Sequence, residues 1–324
     1  MHSRPHFQRL AADARLLPPL AAAVVHPCDR ESLQCALSGA FAGILAPVLV
    51  GPTARIRAAA DAAGLDVSRL PIVDAADDGR ASSLAAVELA AAGEVHALIR
   101  GALGIDELLA PVAAPERGLR GEHRLSHVHV LDLPGRAKPL LVADALLNFN
   151  PGLAAKRDIL HNTLAFATAL GVTQPQVALL AAVDVVSPAF PSTGDATALR
   201  EMAREGAFGI ARVEGPVTAD TALASESARA DGTRPDAVHA PDVLLAPNME
   251  CATLLVQTLA AITGGLAAGL VVGARVPIVA SARSEGIEAR LASCVLASLQ
   301  AAAGARPAAA PARTGAPAAH AVTA

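Results

Sequence analysis

Short runs of apolar residues, each about the length of a β-strand, recur along the whole chain and are bounded by Pro or Gly. Many of them are separated by longer segments rich in Ala and Leu, which have the length of a helix. A strand that alternates with a helix is the pattern of βαβ units, so the chain predicts a mostly parallel sheet with helices on both faces. We predict strands at residues 20–25, 47–50, 97–99, 128–133, 139–143, 177–183, 243–245, 270–272 and 277–280, and helices at residues 30–42, 81–92, 153–170, 196–204 and 250–262.

The alternation is interrupted visibly at residues 125–143, where two strand-like runs follow each other with no helix between them. Residues 134–138, Pro-Gly-Arg-Ala-Lys, have the composition of a turn. Two adjacent strands joined by a turn predict an antiparallel pair or a crossing between two domains.

Two uncharged stretches, residues 32–54 and 251–274, are each long enough to cross a bilayer. Both are interrupted by Gly, the first also by Pro, and the second half of each has the pattern of a short strand. A helix followed by a buried strand has the same hydropathy, because a strand covered on both faces loses its polar alternation. We therefore favour a soluble protein.

The composition of the chain argues against nucleic-acid binding and favours a cytoplasmic protein. Charged residues make up 17% of the chain, the formal net charge is −4, and Trp and Tyr are absent. This leaves no basic surface and no aromatic stacking platform for nucleic acid. The four cysteines form no CxxC pair, and the N-terminal residues match a secretory signal poorly, so we expect free thiols in a reducing compartment.

The common catalytic motifs are absent from the sequence, namely the dinucleotide-binding glycine fingerprint, the P-loop, the nucleophile elbow and the zincin HExxH helix. Three histidines, His123, His127 and His129, form a cluster, and His127 and His129 point to the same face of a predicted strand. Metal ligands can have this spacing, but a third ligand is not evident. We interpret them as strand-edge or solvent-contacting residues and predict no metal site.

Polar residues gather at the C-terminal ends of predicted strands, where open α/β sheets bind ligands. They are Arg100 with Gly101, Asp144 with Asn148 and Asn150, Asn248 with Glu250, and Ser281 with Arg283 and Glu285. With segments 125–128, 156–159 and 273–279, these positions resemble the phosphate acetyltransferase and phosphate butyryltransferase family. The chain most resembles the branch in which such a domain is found alone or fused to an enoyl-CoA hydratase-like partner. The resemblance is collinear from about residue 20 to residue 299.

This resemblance implies a fold class. The family has a two-domain, three-layer α/β/α architecture with mostly parallel sheets and an interdomain cleft, similar to isocitrate and isopropylmalate dehydrogenases. We expect a first domain at residues 1–140 plus 285–303, a second at 141–284, and a disordered Ala/Pro-rich tail at 304–324.

The resemblance also implies an activity. The family moves a short acyl group, such as acetyl, propionyl or butyryl, between coenzyme A and inorganic phosphate by direct attack in a ternary complex. Coenzyme A and its acyl esters are then substrates, and no permanently bound cofactor is expected. We expect a homodimer or higher homo-oligomer and no membrane or nucleic-acid partner.

The resemblance assigns roles to the polar strand ends. Arg283 corresponds to the arginine that binds phosphate and the transition state, Glu285 is our candidate general base, and Asp144 is the alternative base. The expected substrate-binding residues are Arg100, Gly101, Arg124, Ser126, Asn148, Asn150, Asn248, Glu250 and Ser281.

The chain departs from the family pattern near these residues. Ala282 stands where the family usually has Ser, Gly104 and Ile105 stand where it often has His-Thr, and Arg100 replaces a Lys. These departures motivate an alternative, a catalytically weakened paralogue that binds acyl-CoA or a partner protein. Metal-dependent oxidative decarboxylation on a related scaffold is a weaker alternative, because no clear cluster of aspartates for a divalent ion is evident.

Overall fold

The computed structural model describes residues 4–224, 240–282 and 285–305. The strands in this part of the chain are β1 Leu20–Val25, β2 Leu45–Gly51, β3 Ile72–Asp74, β4 Ala97–Arg100, β5 Ser126–Asp132, β6 Leu140–Ala143, β7 Gln176–Leu180, β8 Arg212–Val217, β9 Val243–Leu245, β10 Leu266–Val272 and β11 Ile278–Val279. The helices are α1 Pro5–Arg15, α2 Arg30–Phe41, α3 Thr53–Ala63, α4 Gly79–Ala91, α5 Ile105–Ala113, α6 Leu153–Ala169, α7 Pro191–Arg204, α8 Ala219–Leu223, α9 Met249–Thr263 and α10 Ile287–Ala305.

The described strands form one sheet in the order β3-β2-β1-β4-β11-β10-β5-β6-β9-β7-β8. The pairings from β3 to β4 and β11 are parallel, as are those among β6, β9, β7 and β8. The three pairings in the middle, β11 with β10, β10 with β5 and β5 with β6, are antiparallel. Three reversals make the two parallel blocks run in opposite directions.

Because of this reversal, the C-terminal ends of the strands in one parallel block lie at the opposite end of the sheet from those in the other block. We call the end where β4 and β11 stop the Arg100 end, and the end where β6 and β9 stop the Asp144 end. Loops that follow strands therefore approach the middle of the sheet from both ends.

Helices cover both faces of the sheet, but the two faces differ. On one face a single continuous core packs against α1, α2, α3, α6, α7 and α10. On the other face one core belongs to α4 and α5, and a separate core belongs to α8 and α9. The gap between these two cores lies over β5 and β10, the antiparallel middle of the sheet.

The ends of α9 and the segment before α10 are set by local interactions near this gap. The Asn248 side chain caps α9 by accepting a hydrogen bond from the backbone N–H of Cys251 at 2.9 Å. Gly264 ends the same helix in the left-handed conformation, which glycine adopts without steric cost. Arg290 of α10 holds the backbone of the segment that leads into that helix.

The structure confirms the predicted α/β class, with a mostly parallel sheet and helices on both faces. The antiparallel pair expected between residues 125 and 143 is β5 with β6, in which Val128 lies opposite Ala143. The sequence analysis missed β3 and β8, the outermost strands of the sheet. Outer strands are less completely covered, and β8 contains Arg212 and Glu214, so neither strand has the continuous apolar run of a central strand.

Two further expectations concern the boundaries of the chain. No described helix is long and apolar enough to cross a membrane. Gly304 and Ala305, which we expected in the tail, continue α10, and residues 306–324 lie outside the described residues. The division into two domains stays a prediction.

Candidate active site

A cavity of about 320 Å³ occupies the gap between the two cores of the second face. Both blocks of the sheet contribute to it, with Arg100, Ser281, Ala282 and Glu285 from the Arg100 end, His127, His129, Ala267 and Gly269 from the middle, and Leu146, Thr253, Val256 and Gln257 from the loop after β6 and from α9. A larger hollow of about 710 Å³ lies between residues 17–21, 272–277 and 298–305. Its described lining contains none of the predicted site residues, so we place the candidate active site in the smaller cavity.

Arg100 is the last residue of β4, and its side chain is fixed by its own loop. The guanidinium Nε donates a hydrogen bond to the carbonyl of Leu103 at 2.9 Å. Gly101 follows, and a Cβ atom placed on it would lie 2.5 Å from the carbonyl oxygen of Val25. Only glycine fits this close approach of two backbones, so Gly101 sets the path of the chain beside Arg100.

The segment after β11 brings Ser281 and Glu285 to the cavity. The Ser281 Oγ atom is buried and has no hydrogen-bond partner among the described residues. Glu285 Oε1 accepts a hydrogen bond from the backbone N–H of Ala282 at 2.8 Å. This bond joins the Glu285 carboxylate to the backbone three residues earlier in the chain. Arg283 itself lies outside the described residues, so its role stays a prediction.

A buried arginine also contacts the backbone at Ala282 and at Glu285. Arg290, 6% exposed, donates from Nη2 to the carbonyl of Ala282 at 2.9 Å and from Nε to the carbonyl of Glu285 at 3.1 Å. Arg290 thereby fixes the backbone at Ala282 and at Glu285.

Two histidines of β5 lie on the floor of the cavity. The rings of His127 and His129 meet edge to face with their centroids 4.5 Å apart. Burial lowers the pKa of His127 to about 4. Burial among protein atoms, followed by the neighbouring His127, lowers the pKa of His129 to about 3, although the residue is partly open to the cavity. Both rings are therefore neutral at pH 7.

The structure corrects our interpretation of these histidines. The shared face of His127 and His129 is confirmed, but β5 lies in the middle of the sheet, so a strand-edge position is wrong. His123 is elsewhere: its ring stacks on His161 with centroids 4.8 Å apart, and its Nδ1 atom lies 3.5 Å from Oδ1 of Asp158. Within the described residues, no group of three or more potential ligands that could hold a metal is found.

The carboxylate of Asp144, the alternative base, accepts hydrogen bonds from residues of its own loop. Asp144 Oδ1 accepts hydrogen bonds from the backbone N–H groups of Leu146 at 2.9 Å and Leu147 at 3.0 Å. Its Oδ2 accepts one from the Asn148 side-chain amide. The residue is 3% exposed, does not line the cavity, and lies near enough to His129 to act on the pKa of that ring.

Arg124, Ser126 and Asn148 belong to the same network at the Asp144 end. Asn148 donates to the carbonyl of Leu125 at 3.0 Å and accepts from Arg124 Nη1 at 3.1 Å. Ser126 Oγ accepts from the Asn162 amide at 2.9 Å. These contacts hold the loop after β6 against the start of β5.

The remaining predicted residues also lie toward the Asp144 end. Asn248 is the cap of α9, and both Glu250 and Asn150 are exposed. Of the predicted set, the structure therefore brings Arg100, Ser281 and Glu285 to the cavity, with Gly101 adjoining Arg100.

The sequence analysis did not place Thr253 and Gln257 of α9 in the site. They are four residues apart, which puts two polar side chains on one helix face, and that spacing could have revealed them. Thr253 Oγ1 donates to the carbonyl of Ala145 at 2.9 Å and so ties α9 to the loop after β6.

Fold and site together define a class of protein. A mostly parallel α/β sheet with a cavity, an arginine at a strand end and a carboxylate held by a backbone N–H is an arrangement suited to an enzyme that acts on a small anionic substrate. The family confirms this class: the chain belongs to the family described as "Phosphate acetyl/butaryl transferase", whose pattern matches residues 80–297. It is therefore an acyltransferase, as the resemblance of the strand ends implied.

Relatives support the assignment over nearly the whole chain. The chain is 42% identical to a phosphate acetyltransferase of Rhizobium meliloti over 297 residues, which are 91% of this chain and 93% of that protein. It is 32% identical to a phosphate butyryltransferase of Clostridium acetobutylicum over 84% of this chain and 90% of that protein.

Solved structures agree with the fold. A branched-chain phosphotransacylase from Enterococcus faecalis V583 superposes with a TM-score of 0.78 at 25% identity, over 87% of this chain and 99% of that one. A 4-hydroxythreonine-4-phosphate dehydrogenase from Klebsiella pneumoniae, at 14% identity and a TM-score of 0.56, shares the fold alone over 87% of this chain and 99% of that one. The expected likeness to a dehydrogenase fold is thus confirmed.

Proposed function

We propose that this protein transfers a short acyl group between coenzyme A and inorganic phosphate within one ternary complex. The observation that carries the proposal is the cavity that Arg100, Ser281 and Glu285 line together. The family membership supports the same reaction. Acetyl, propionyl and butyryl groups are the candidate acyl chains.

The size of the cavity fits the reacting part of the substrate but not the whole of coenzyme A. A volume of about 320 Å³ is at the small end of ligand pockets, which run from about 300 to 1,000 Å³. It has room for an acyl group, the reacting carbonyl and a phosphate, but the nucleotide part of coenzyme A must lie outside it.

In the proposed reaction, a phosphate oxygen attacks the carbonyl carbon of the acyl thioester. The carbon–sulfur bond breaks, the acyl phosphate forms, and coenzyme A leaves as a thiolate that takes up a proton. In reverse, a base removes the thiol proton, the thiolate attacks the acyl phosphate, and phosphate leaves. No protein nucleophile is required.

The charged residues have different roles in the proposed reaction. Arg100 and Arg283 offer cationic donors to the phosphate and to the negative charge that grows on the carbonyl oxygen. Glu285 exchanges the proton with the thiol, because its carboxylate lines the cavity. Asp144 is the weaker candidate, since its carboxylate accepts hydrogen bonds from Leu146, Leu147 and Asn148 of the loop after β6.

Several properties of the whole protein belong to the same proposal. We infer a cytoplasmic enzyme without a permanently bound cofactor, and its four cysteines, which are free thiols in the structure, support a reducing compartment. We also infer a homo-oligomer, which the exposed Leu254 and Ile262 on the outer side of α9 support.

The test is the release of coenzyme A from acetyl-, propionyl- and butyryl-CoA, with and without inorganic phosphate. We expect release that depends on phosphate with at least one ester. Binding of these esters in calorimetry without any turnover would instead support the weakened paralogue, which no observation favours at present.

A further inference from the structure

The exposed residues of the cavity lining show where the cavity opens to solvent. Among the described lining residues, Gln257 of α9 and Ala282 of the segment after β11 are exposed, whereas the others are buried or half-buried. These two residues belong to different elements of the fold. The mouth of the cavity therefore lies between α9 and the segment after β11.

A substrate longer than the cavity has to pass through this mouth. A volume of about 320 Å³ holds an acyl group and a phosphate but not the nucleotide of coenzyme A. The thioester and the nucleotide are joined by the pantetheine arm, a flexible chain that contains two amide groups. With the thioester inside and the nucleotide outside, the arm runs past Gln257 and Ala282.

The two residues at the mouth differ in what they offer to a ligand. Ala282 has only a methyl side chain, its backbone N–H donates to Oε1 of Glu285 at 2.8 Å, and its carbonyl accepts from Nη2 of Arg290 at 2.9 Å. The side chain of Gln257 makes no hydrogen bond to another described residue. Its carboxamide is therefore available to a ligand at the mouth.

The preceding turn of α9 shows the contrast. Thr253 also lines the cavity, and its position four residues before Gln257 puts it on the same helix face. Its Oγ1 atom lies 2.9 Å from both the carbonyl of Ala145 and the carbonyl of Met249, so its single donor is used within the protein. Thr253 thus holds the helix in place, whereas Gln257 has no such role.

The chemistry of a glutamine side chain matches that of an amide. Its carbonyl oxygen accepts a hydrogen bond and its NH₂ group donates, while a pantetheine amide offers one N–H and one C=O. Both hydrogen bonds can form at once, and neither partner is charged. A phosphate binds more strongly to cationic donors, so a lone exposed glutamine fits the neutral arm of coenzyme A better than its phosphates.

We propose that Gln257 binds an amide of the pantetheine arm of acyl-CoA at the mouth of the cavity. The proposal rests on the acyltransferase function proposed above and adds to it a binding residue for coenzyme A and the side from which it enters. The contact is remote from the reacting carbonyl and is the same in the ground state and the transition state. It therefore lowers KM for acyl-CoA and leaves kcat unchanged.

The experiment compares the unmodified enzyme with Gln257→Leu, in which a side chain of similar size has no hydrogen-bonding group. In phosphate-dependent release of coenzyme A from acetyl-CoA, we expect KM for acetyl-CoA to rise about tenfold, because two neutral hydrogen bonds are lost. We expect kcat, KM for phosphate and the melting temperature to change little. The control is Gln8→Leu, the same substitution at an exposed glutamine of α1 outside the cavity, which should keep the parental values.

Three results would overturn the assignment while leaving the acyltransferase function standing. The first is an unchanged KM for acetyl-CoA in a folded Gln257→Leu protein. The second is a comparable loss in kcat or in KM for phosphate, which would put Gln257 at the reacting groups. The third is an equal weakening of inhibition by phosphoadenosine diphosphate, the nucleotide part of coenzyme A, which would assign Gln257 to the nucleotide.

Failure of the proposed function is recognised separately. It would appear as an absence of phosphate-dependent release by the unmodified enzyme with acetyl-, propionyl- and butyryl-CoA. Calorimetry with coenzyme A would then still test Gln257, since weaker binding by about tenfold in Gln257→Leu supports the contact and equal binding contradicts it.

Discussion

One polar cluster belongs to the loop after β6 and another is the histidine pair of β5, and the two differ in how many of their polar atoms have hydrogen-bond partners. In the cluster of Asp144, Asn148 and Arg124, both carboxylate oxygens and the side-chain amide have partners within the protein. On the cavity floor, Nδ1 of His127 and Nδ1 of His129 have none among the described residues.

Whether a polar side chain has its hydrogen-bond partners inside the protein indicates its role better than its residue type does. A polar side chain whose hydrogen bonds are all made inside the protein holds a loop, and its removal leaves several groups unpaired. A buried polar atom without a partner holds no loop in this way, so its position needs another explanation. We therefore predict that the cavity residues Arg100, Ser281 and Glu285 act on substrate, whereas the Asp144 cluster shapes the wall beside them.

The largest effect is expected for Glu285→Gln. Glutamine can still accept the hydrogen bond from the Ala282 N–H, so the loop should keep its shape, but it cannot exchange a proton with the thiol. We expect turnover to fall by about 100-fold to 10,000-fold with little change in melting temperature. Phosphate-dependent release of coenzyme A and thermal melting measure the two effects. Parental turnover would move the base away from residue 285.

Arg283→Ala tests the residue two positions before Glu285 in the sequence. We expect turnover to fall by about a hundredfold or more with folding nearly unchanged, because a bidentate guanidinium contact to phosphate is lost. Arg283→Lys should recover only part of the activity, since a point charge does not reproduce two parallel N–H contacts. A large loss of melting temperature in the alanine variant would assign Arg283 a structural role.

Asp144→Ala should show the opposite pattern to Glu285→Gln. Removal of the carboxylate leaves the N–H groups of Leu146 and Leu147 and the Asn148 amide without their acceptor. We expect the free energy of unfolding to fall by about 1–3 kcal/mol, measured by urea denaturation. The exposed Asp61, replaced by Ala, is the control and should change little. A fully stable Asp144→Ala protein without turnover would restore Asp144 as the candidate base.

Gly101→Ala tests whether the chain path beside Arg100 matters. The new Cβ atom would meet the Val25 carbonyl oxygen at 2.5 Å, so the backbone must shift, at a cost of about 1–3 kcal/mol in the free energy of unfolding. Turnover should fall as well, because Arg100 moves with it. Gly194→Ala, at a helix position where a Cβ meets nothing within 4 Å, is the matched control and should be neutral or slightly stabilising. Identical behaviour of the two variants would contradict the close-approach argument.

The smallest effect is a pH dependence from the cavity floor. The pKa of His127 is about 4 in the folded protein against an ordinary value of 6.5, so the unfolded chain binds a proton that the folded ring does not bind between these values. Stability from this group is complete above pH 6.5 and is lost as the pH falls toward 4. Between pH 7 and pH 5.5 we expect the unmodified protein to lose about 1 kcal/mol more than His127→Phe. Equal losses in urea denaturation would show that His127 is not held neutral by burial.

Much of the fold was predictable because its signals are local. The apolar run of β1 and the helical segments of α2 and α6 are recognisable from a few neighbouring residues, and their observed bounds agree closely with the predicted ones. β3 and β8 were missed because the outermost strands are only partly covered and need no continuous apolar run.

The site was predictable only in part, because the sequence of a strand does not indicate at which end of the sheet the strand will stop. Arg100, Ser281 and Glu285 were identified from their positions after β4 and β11, and they line one cavity. Asp144, Asn148 and Asn248 follow strands just as directly, but the three antiparallel pairings in the middle of the sheet carry them to the opposite end.

By itself, the sequence determined the α/β class, the family and the residue types at the strand ends, because each depends on short-range pattern or on collinear similarity. The tertiary structure decided which polar groups have hydrogen-bond partners inside the protein and which residues line the cavity. Hydrogen-bond partners such as Leu125 for Asn148 and Asn162 for Ser126 come from distant parts of the chain, and so does the space that Gly269 leaves for His127. Those pairings follow from strand order and direction, which no local pattern encodes.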